Sequence, residues 1–217
     1  MIPGPEDMVL TPAGLRFAGR LIPCSIGRGG VSAAKREGDG ATPAGVHRIV
    51  GLLFRPDRIA RPAPWAEPIG PQDLWCDDSG HPAYNHWVRS PFAASHERLR
   101  RADPLYDLVL VTDWNWPEAR AGKGSAIFLH QWRRPGYPTA GCIAMSRADL
   151  RWLAARAVPG TRLIVPPALA GRARRRVRCG APCRVSCRAS CSASPSPASP
   201  WCCRRASPMS RSLTSGL

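Results

Sequence analysis

The chain has 217 residues, a mass of 23.5 kDa and a formal net charge of +16 at neutral pH. This length leaves room for one globular domain with a tail, and not for two full domains. No apolar run approaches the roughly 18–20 residues that cross a bilayer, so the sequence argues against a membrane-spanning protein. The segment 1–7 carries acids and no apolar core follows it, so it does not resemble a signal peptide.

The first part of the chain has the pattern of short strands joined by turns. Apolar runs, bounded by residues that favour turns, predict strands at 8–10, 15–17, 21–26 and 45–54. The segment 56–80 is rich in proline and predicts an irregular region in which Trp65 and Trp75 anchor the packing.

Branched apolar residues dominate the second part, where they predict buried strands at 106–113 and 125–130. Ser146 is placed to cap a helix, and Asp149 lies near the positive end of that helix dipole. A Pro-Gly pair ends the helix, and the run 161–165 predicts a closing strand. Many short strands with one helix indicate a mainly β fold, a sandwich or barrel of about 160 residues.

Two residues near the end of this part can carry chemistry. His130 ends an apolar run, and Cys142 follows a glycine further along the chain. If the loop 131–140 brings them together, the imidazole can take the thiol proton and leave a nucleophilic thiolate. Gly141 has no Cβ, so the N–H groups of Gly141 and Cys142 can point at a developing oxyanion. From spacing alone, a small buried cysteine in the core stays open as the alternative.

The same residues belong to motifs that resemble the catalytic domain of the L,D-transpeptidases, the YkuD-like family. The similar segments are 126–130, 139–143, 149–150 and 159–165, the stretch Asp39 to His47 with its Thr-Pro-Ala-Gly motif, and Tyr106-Asp107 with Asn115. They occur in the family's order between Met8 and Pro166. The resemblance implies a mixed β-sandwich fold, a cysteine nucleophile and peptidoglycan stem peptides as substrate.

Carried over by position, the resemblance makes Cys142 the nucleophile and His130 the group that accepts and returns a proton. It also implies that a backbone carbonyl orients His130, without identifying that carbonyl. The implied thioester forms on the third stem residue, commonly a diamino acid, with loss of a terminal D-alanine. Attack by a side-chain amine of a neighbouring stem then gives a 3→3 cross-link. The resemblance implies no metal and no organic cofactor, and a location in the periplasm or cell envelope, and we expect a monomer.

Two positions depart from the family pattern. Gln131 follows the histidine where the family usually has glycine, and Ala144 stands where it commonly has an arginine that can pair with a substrate carboxylate. Arg133, Arg134 and Arg147 are candidates to replace that arginine in binding substrate, and Tyr84 is a further candidate for contact with substrate. For these four residues, solvated charge or packing is the competing interpretation.

The last segment differs in composition from the rest. From Gly171 onward there are 10 arginines and no acid, and Arg, Ser, Ala, Cys, Pro and Gly make up 40 of 47 residues. The predicted organisation is a catalytic domain at 8–167 and a disordered basic Arg/Ser/Cys/Pro-rich tail at 168–217, for which a frameshift is an alternative origin. The arginines at 172–178 can bind nucleic acid, and Cys179, Cys183, Cys187 and Cys191 can bind metal, but neither is expected.

Three functions stay open at this point. The first is a cross-linking L,D-transpeptidase. The second is an L,D-carboxypeptidase, or another peptidoglycan amide hydrolase, with the same Cys/His pair and water as acceptor. The third is a cell-wall or polyanion binder without catalysis.

Overall fold

The computed structural model of the protein describes residues 2–171. In this range it has fifteen strands, one α-helix and two 3-10 turns. The first eight strands are β1 (Met8–Thr11), β2 (Gly14–Phe17), β3 (Arg20–Ile22), β4 (Cys24–Ser25), β5 (Val31–Ser32), β6 (Thr42–Pro43), β7 (Gly45–Phe54) and β8 (Glu67–Pro68). The others are β9 (Asp73–Cys76), β10 (Trp87–Arg89), β11 (His96–Arg98), β12 (Leu108–Thr112), β13 (Phe128–Gln131), β14 (Ile143–Met145) and β15 (Arg162–Val165). Helix α1 spans Arg147–Ala154, and the 3-10 turns are Pro104–Tyr106 and Pro167–Leu169.

Ten strands form one large mixed sheet in the order β3-β2-β1-β15-β7-β12-β13-β14-β4, with β8 also paired to β7. The long strand β7 holds this sheet together, because β15 pairs with its first half and β12 with its second half. β2 and β4 come into contact although they lie far apart in the strand order. The sheet therefore curls.

The two faces of the sheet pack into two separate cores. Along β12 the side chains alternate, so that Leu108 and Leu110 enter the first core while Val109 and Val111 enter the second. The first core also receives the apolar side of α1. The second core lies against a three-stranded sheet, β10-β9-β11, in which Trp75 packs edge-on to Phe128 at a centroid distance of 5.0 Å. The predicted mainly β sandwich with one helix is confirmed.

The predicted helix forms with the expected cap. The Ser146 hydroxyl accepts a hydrogen bond from the Asp149 backbone N–H at 3.1 Å and donates to the Asp149 carboxylate at 2.6 Å. Leu150, Leu153 and Ala154 are buried in the first core, as their helical spacing indicates.

The prediction of an irregular segment at 56–80 is wrong in part. Trp75 lies in β9, the central strand of the three-stranded sheet, and β8 also falls within this segment. The partners of β9 are the short strands β10 and β11, which carry no apolar alternation that a sequence pattern could detect. Both tryptophans do anchor the packing, since Trp75 is buried in the second core and Trp65 packs against the first.

Strand boundaries differ at two further places. The run 21–26 is divided by Pro23 into β3 and β4, which pair with different strands, because proline has no N–H to continue a ladder. The run 125–130 becomes a strand only at Phe128, since Ala126 has a φ of 50° and so leaves the extended conformation.

The described part of the chain continues past the boundary predicted at residue 167. That residue begins a 3-10 turn, and Leu169 and Ala170 pack against the first core. Ala170 also forms a bridge to Val31. The basic segment 172–178 and the cysteines from Cys179 onward lie outside the described residues. None of the helices within 2–171 has the length and apolar character needed to cross a membrane.

Candidate active site

Strands β13 and β14 place the two predicted catalytic residues on one face of the large sheet. The strands are parallel, and their register pairs His130 with Ala144. Leu129 and Ile143 enter the first core. Because side chains alternate along a strand, His130, Ala144 and Cys142 face the opposite side, toward the second core.

His130 and Cys142 line a common cavity of about 360 Å³. Its other lining residues are Arg28, Glu97, Arg101, Leu105, Tyr106, Trp132, Arg133, Tyr137, Pro138, Thr139, Ala140 and Ala144. Only 9% of Cys142 and 7% of His130 is exposed, so a substrate must enter the cavity to reach either side chain.

The Cys142 thiol is held by the backbone in the resting structure. Its Sγ donates to the Ala126 carbonyl at 3.1 Å and accepts from the Phe128 N–H at 3.4 Å. Burial, and after it the negative charge of Glu97, raises the pKa of this thiol to about 12. The hydrogen bond from Phe128 and the charge of Lys35 act in the opposite direction. Cys142 is therefore a protonated thiol in the resting protein.

The His130 ring is fixed by a carbonyl and an aromatic neighbour. Its Nδ1 lies 2.8 Å from the backbone oxygen of Gln131, and its ring meets the ring of Tyr106 edge-on at 5.2 Å. Since a carbonyl can only accept, Nδ1 carries the proton and Nε2 is the basic nitrogen. Burial lowers the pKa of His130 to about 4, so the imidazole is neutral at pH 7. The carbonyl that orients this histidine belongs to Gln131.

The turn before Cys142 is tied to the Thr-Pro-Ala-Gly motif. The buried Thr42 hydroxyl donates to the Gly141 carbonyl at 2.7 Å and accepts from the Gly27 N–H at 3.0 Å. Gly141 has a φ of 148°, and a Cβ there would lie 2.9 Å from the Ala41 carbonyl oxygen. Both its conformation and the close backbone contact therefore require glycine.

The two predicted oxyanion donors are not equivalent. The Gly141 N–H donates to the Thr139 hydroxyl at 3.2 Å, and that hydroxyl donates in turn to the Cys142 carbonyl at 2.6 Å. These bonds close the turn 139–142. The Gly141 N–H is thus engaged in holding the turn, which favours the Cys142 N–H as the oxyanion donor.

The four weaker candidates lie in different places. Arg133 lines the cavity, whereas the Arg134 guanidinium lies outside it, over the Tyr137 ring at 5.3 Å. Arg147 is exposed at the first residue of α1. Tyr84 is buried, and its hydroxyl donates to Glu37 and accepts from the Gly124 N–H at 3.1 Å. The structure brings only Arg133 of these four to the cavity.

Three further charged residues line the cavity and were not predicted from the sequence: Arg28, Glu97 and Arg101. The Tyr106 hydroxyl donates to Glu97 at 2.6 Å, and burial raises the pKa of both groups. Arg101 forms two hydrogen bonds of 2.8 Å to Asp103. Glu97 lies in the short strand β11 and Arg28 in a glycine-rich turn, and neither segment has a pattern that points to the cavity.

No group of three or more His, Cys, Asp or Glu side chains that could hold a metal ion occurs between residues 2 and 171. Cys76 is a free, fully buried thiol.

We expect Thr42→Val to lower the free energy of unfolding by about 1–3 kcal/mol, because it leaves the buried Gly141 carbonyl and Gly27 N–H without their partner. Thr42→Ser keeps the hydroxyl and should recover most of the loss. Chemical denaturation of the three proteins measures both effects. A valine variant as stable as the parent would show that the hydroxyl does not hold the turn.

We also expect alkylation of Cys142 by iodoacetamide to rise about tenfold per pH unit from pH 7 to 10, because only the thiolate reacts and the thiol pKa is raised. Peptide mapping separates Cys142 from Cys76, which is fully buried and should react more slowly at every pH. A Cys142 rate that is already constant above pH 7 would mean that the thiolate exists in the resting protein.

In the same assay at pH 9, Glu97→Gln should speed alkylation of Cys142 severalfold, because it removes a negative charge that raises the thiol pKa. Glu67→Gln removes an exposed acid on β8 and serves as the control. Equal rates for the two variants would contradict the electrostatic role of Glu97.

Comparisons with known proteins identify the family of this chain. The family model YkuD, described as L,D-transpeptidase catalytic domain, matches residues 13–165. No curated protein matches the chain by sequence. Among solved structures, an L,D-transpeptidase from Mycobacterium smegmatis is similar at 13% identity and a TM-score of 0.36, over 73% of this chain and 56% of that one. The assignment depends on the family match, which covers most of the described residues. The chain belongs to the YkuD family of L,D-transpeptidase catalytic domains, enzymes that act on peptidoglycan.

Proposed function

We propose that this protein is a peptidoglycan L,D-transpeptidase that acts in the cell envelope, with Cys142 as nucleophile and His130 as proton carrier. The observation that carries the proposal is the shared cavity, which is lined by a thiol and by a histidine whose Nδ1 is held by the Gln131 carbonyl. That bond leaves Nε2 as the nitrogen that can take the thiol proton.

The neutral resting state determines how the first step proceeds. Because the pKa of Cys142 is about 12 and that of His130 about 4, a stable thiolate–imidazolium pair does not form before substrate binds. The thiol has to turn from the Ala126 carbonyl toward His130 when a stem peptide enters. Proton transfer to Nε2 then accompanies the attack of Sγ on the carbonyl carbon of the third stem residue.

The rest of the cycle follows from proton and bond balance. As the tetrahedral intermediate collapses, the bond from that carbon to the nitrogen of the terminal D-amino acid breaks, and the His130 proton goes to the departing amine. A thioester remains on Cys142. An incoming amine gives a proton to the neutral His130 and attacks the thioester, the C–S bond breaks, and the Cys142 sulfur recovers the proton. The Cys142 N–H is the donor for the oxyanion in both steps.

The same thioester can be hydrolysed if water replaces the amine, which would make the protein an L,D-carboxypeptidase. The aromatic side chains of Tyr106, Trp132 and Tyr137 line the cavity, and Cys142 is nearly buried. The burial of Cys142 limits the access of water to the thioester and favours the transferase.

The first test is intact mass of the full chain after incubation with a disaccharide-tetrapeptide. We expect an adduct equal to the donor minus its terminal residue, and its complete absence in Cys142→Ala, with activity lower by several powers of ten. Cys76→Ala is the matched control, since it removes another buried thiol that does not line the cavity. An adduct that persists in Cys142→Ala would show that another residue is the nucleophile.

In the parent protein, an added amine acceptor should outcompete water for the adduct. Release of the adduct by water alone would favour the carboxypeptidase.

A second test is the acid limb of the pH profile of kcat/KM. His130 must be neutral to accept the proton, and a lowered pKa keeps it neutral to lower pH. Activity should therefore hold from pH 7 to 5 and fall to half near pH 4, rather than near the value of about 6.5 of an ordinary histidine. Circular dichroism at each pH controls for unfolding. A midpoint at 6.5 in a folded protein would contradict a buried neutral His130 as the base.

A further inference from the structure

The cavity around Cys142 has an excess of positive charge. Three arginines line it, Arg28, Arg101 and Arg133, against a single acid, Glu97, among the described lining residues. Arg101 is neutralised by its two hydrogen bonds to Asp103, and Glu97 accepts the Tyr106 hydroxyl. The positive charges of Arg28 and Arg133 together exceed the negative charge of Glu97, and this excess favours an anionic ligand.

Arg28 is the better placed of these two. Its backbone N–H donates to the Thr139 carbonyl at 2.8 Å, and Thr139 belongs to the turn that holds Cys142. The guanidinium of Arg133 instead lies over the Tyr137 ring at 5.7 Å, on an exposed loop. Within residues 2–171 the structure shows no ion pair for Arg28, whose side chain is exposed at the cavity.

A glycine makes room for the Arg28 side chain. Gly40 has a φ of 66°, and a Cβ on it would lie 2.8 Å from Arg28 Cγ and 2.9 Å from Arg28 Nε. Any side chain at position 40 would therefore push the arginine from its place. Gly40, which precedes the Thr-Pro-Ala-Gly motif, thus leaves the space that the Arg28 side chain occupies beside the cavity.

At position 144, where the family commonly has an arginine, this protein has alanine, so a cation at the cavity has to come from another element. Ala144 lines the cavity as the register neighbour of His130, is fully buried and carries no charge. β14 therefore contributes only the small, uncharged Ala144 side chain to the cavity lining. Arg28 reaches the same cavity from the turn between β4 and β5.

We propose that Arg28 binds a carboxylate of the donor stem peptide and so determines which donors the protein accepts. The inference rests on the proposed function, because it takes a stem peptide as the ligand. A guanidinium pairs with a carboxylate through two parallel hydrogen bonds, which fixes orientation as well as charge. The carboxylate has two sources, the C-terminus of the departing D-amino acid and the side chain of the diamino acid at position three.

The test uses three donors: a free tetrapeptide, the same peptide amidated at its C-terminus, and the same peptide amidated on the side-chain carboxyl. Arg28→Gln should lower kcat/KM for the free donor about ten- to hundredfold, mainly through KM. With the parent protein, one of the two amides should lose a similar factor. With that amide, Arg28→Gln should not lower kcat/KM any further than the amidation already does. The amide that behaves in this way identifies the carboxylate that Arg28 binds. Arg28→Lys should lie between the parent and the glutamine variant, and Arg16→Gln, an exposed arginine on β2, is the control.

Binding of the three donors to Cys142→Ala, with and without Arg28→Gln, is measured by calorimetry and gives a readout that needs no turnover. If the parent forms no thioester but the Arg28 effect on binding appears, the proposed reaction fails and carboxylate recognition stands. If Arg28→Gln weakens all three donors equally, or none of them, the assignment of Arg28 is overturned even if the protein is an active transferase.

Discussion

The parallel pairing of β13 with β14 is the constraint on which the site depends. One residue of shift in that register would move His130 or Cys142 to the other face of the sheet, into the first core. The pairing is protected from both sides, because β13 also pairs with the buried strand β12 and the Cys142 turn is tied to Thr42. The site is thus built on buried strands of the sheet, and the exposed loop 131–140 connects its two halves and supplies part of the cavity lining.

This enclosure also determines the chemistry. A thiol and an imidazole buried at the edge of the second core both lose hydration, which favours the neutral form of each. An unligated site of this kind is not reactive until a substrate arrives and the thiol leaves the Ala126 carbonyl. Such an arrangement protects Cys142, the proposed nucleophile, from adventitious oxidation and alkylation, which need the thiolate. Reactivity then depends on substrate binding, and so on the groups at the cavity that recognise the substrate.

Recognition and catalysis come from different segments of the chain. The proposed nucleophile Cys142 directly precedes β14 and the proposed base His130 lies on β13, whereas the charged lining residues come from a turn after β4, from β11, from the segment before β12 and from the loop after β13. Cavity residues from such separate segments can change without disturbing the Cys142 turn. Ala144 and Arg28 are an example, since β14 presents no charge to the cavity whereas the turn after β4 presents an arginine.

The sequence by itself determined the elements whose signals are local. Ser146 as helix cap, β7 at 45–54 and the branched run of β12 follow from capping chemistry and apolar pattern, and the motifs around His130 and Cys142 indicated the family. Only the tertiary structure decided that Trp75 lies in a sheet, because the partners of β9 are short strands without periodicity. It also decided that Gln131 supplies the carbonyl for His130, that Thr42 supports Gly141, and that Arg28 and Glu97 reach the cavity. Each of these contacts, apart from that of Gln131, joins residues far apart in the chain, and a local pattern carries no information about which distant residue will fold against it.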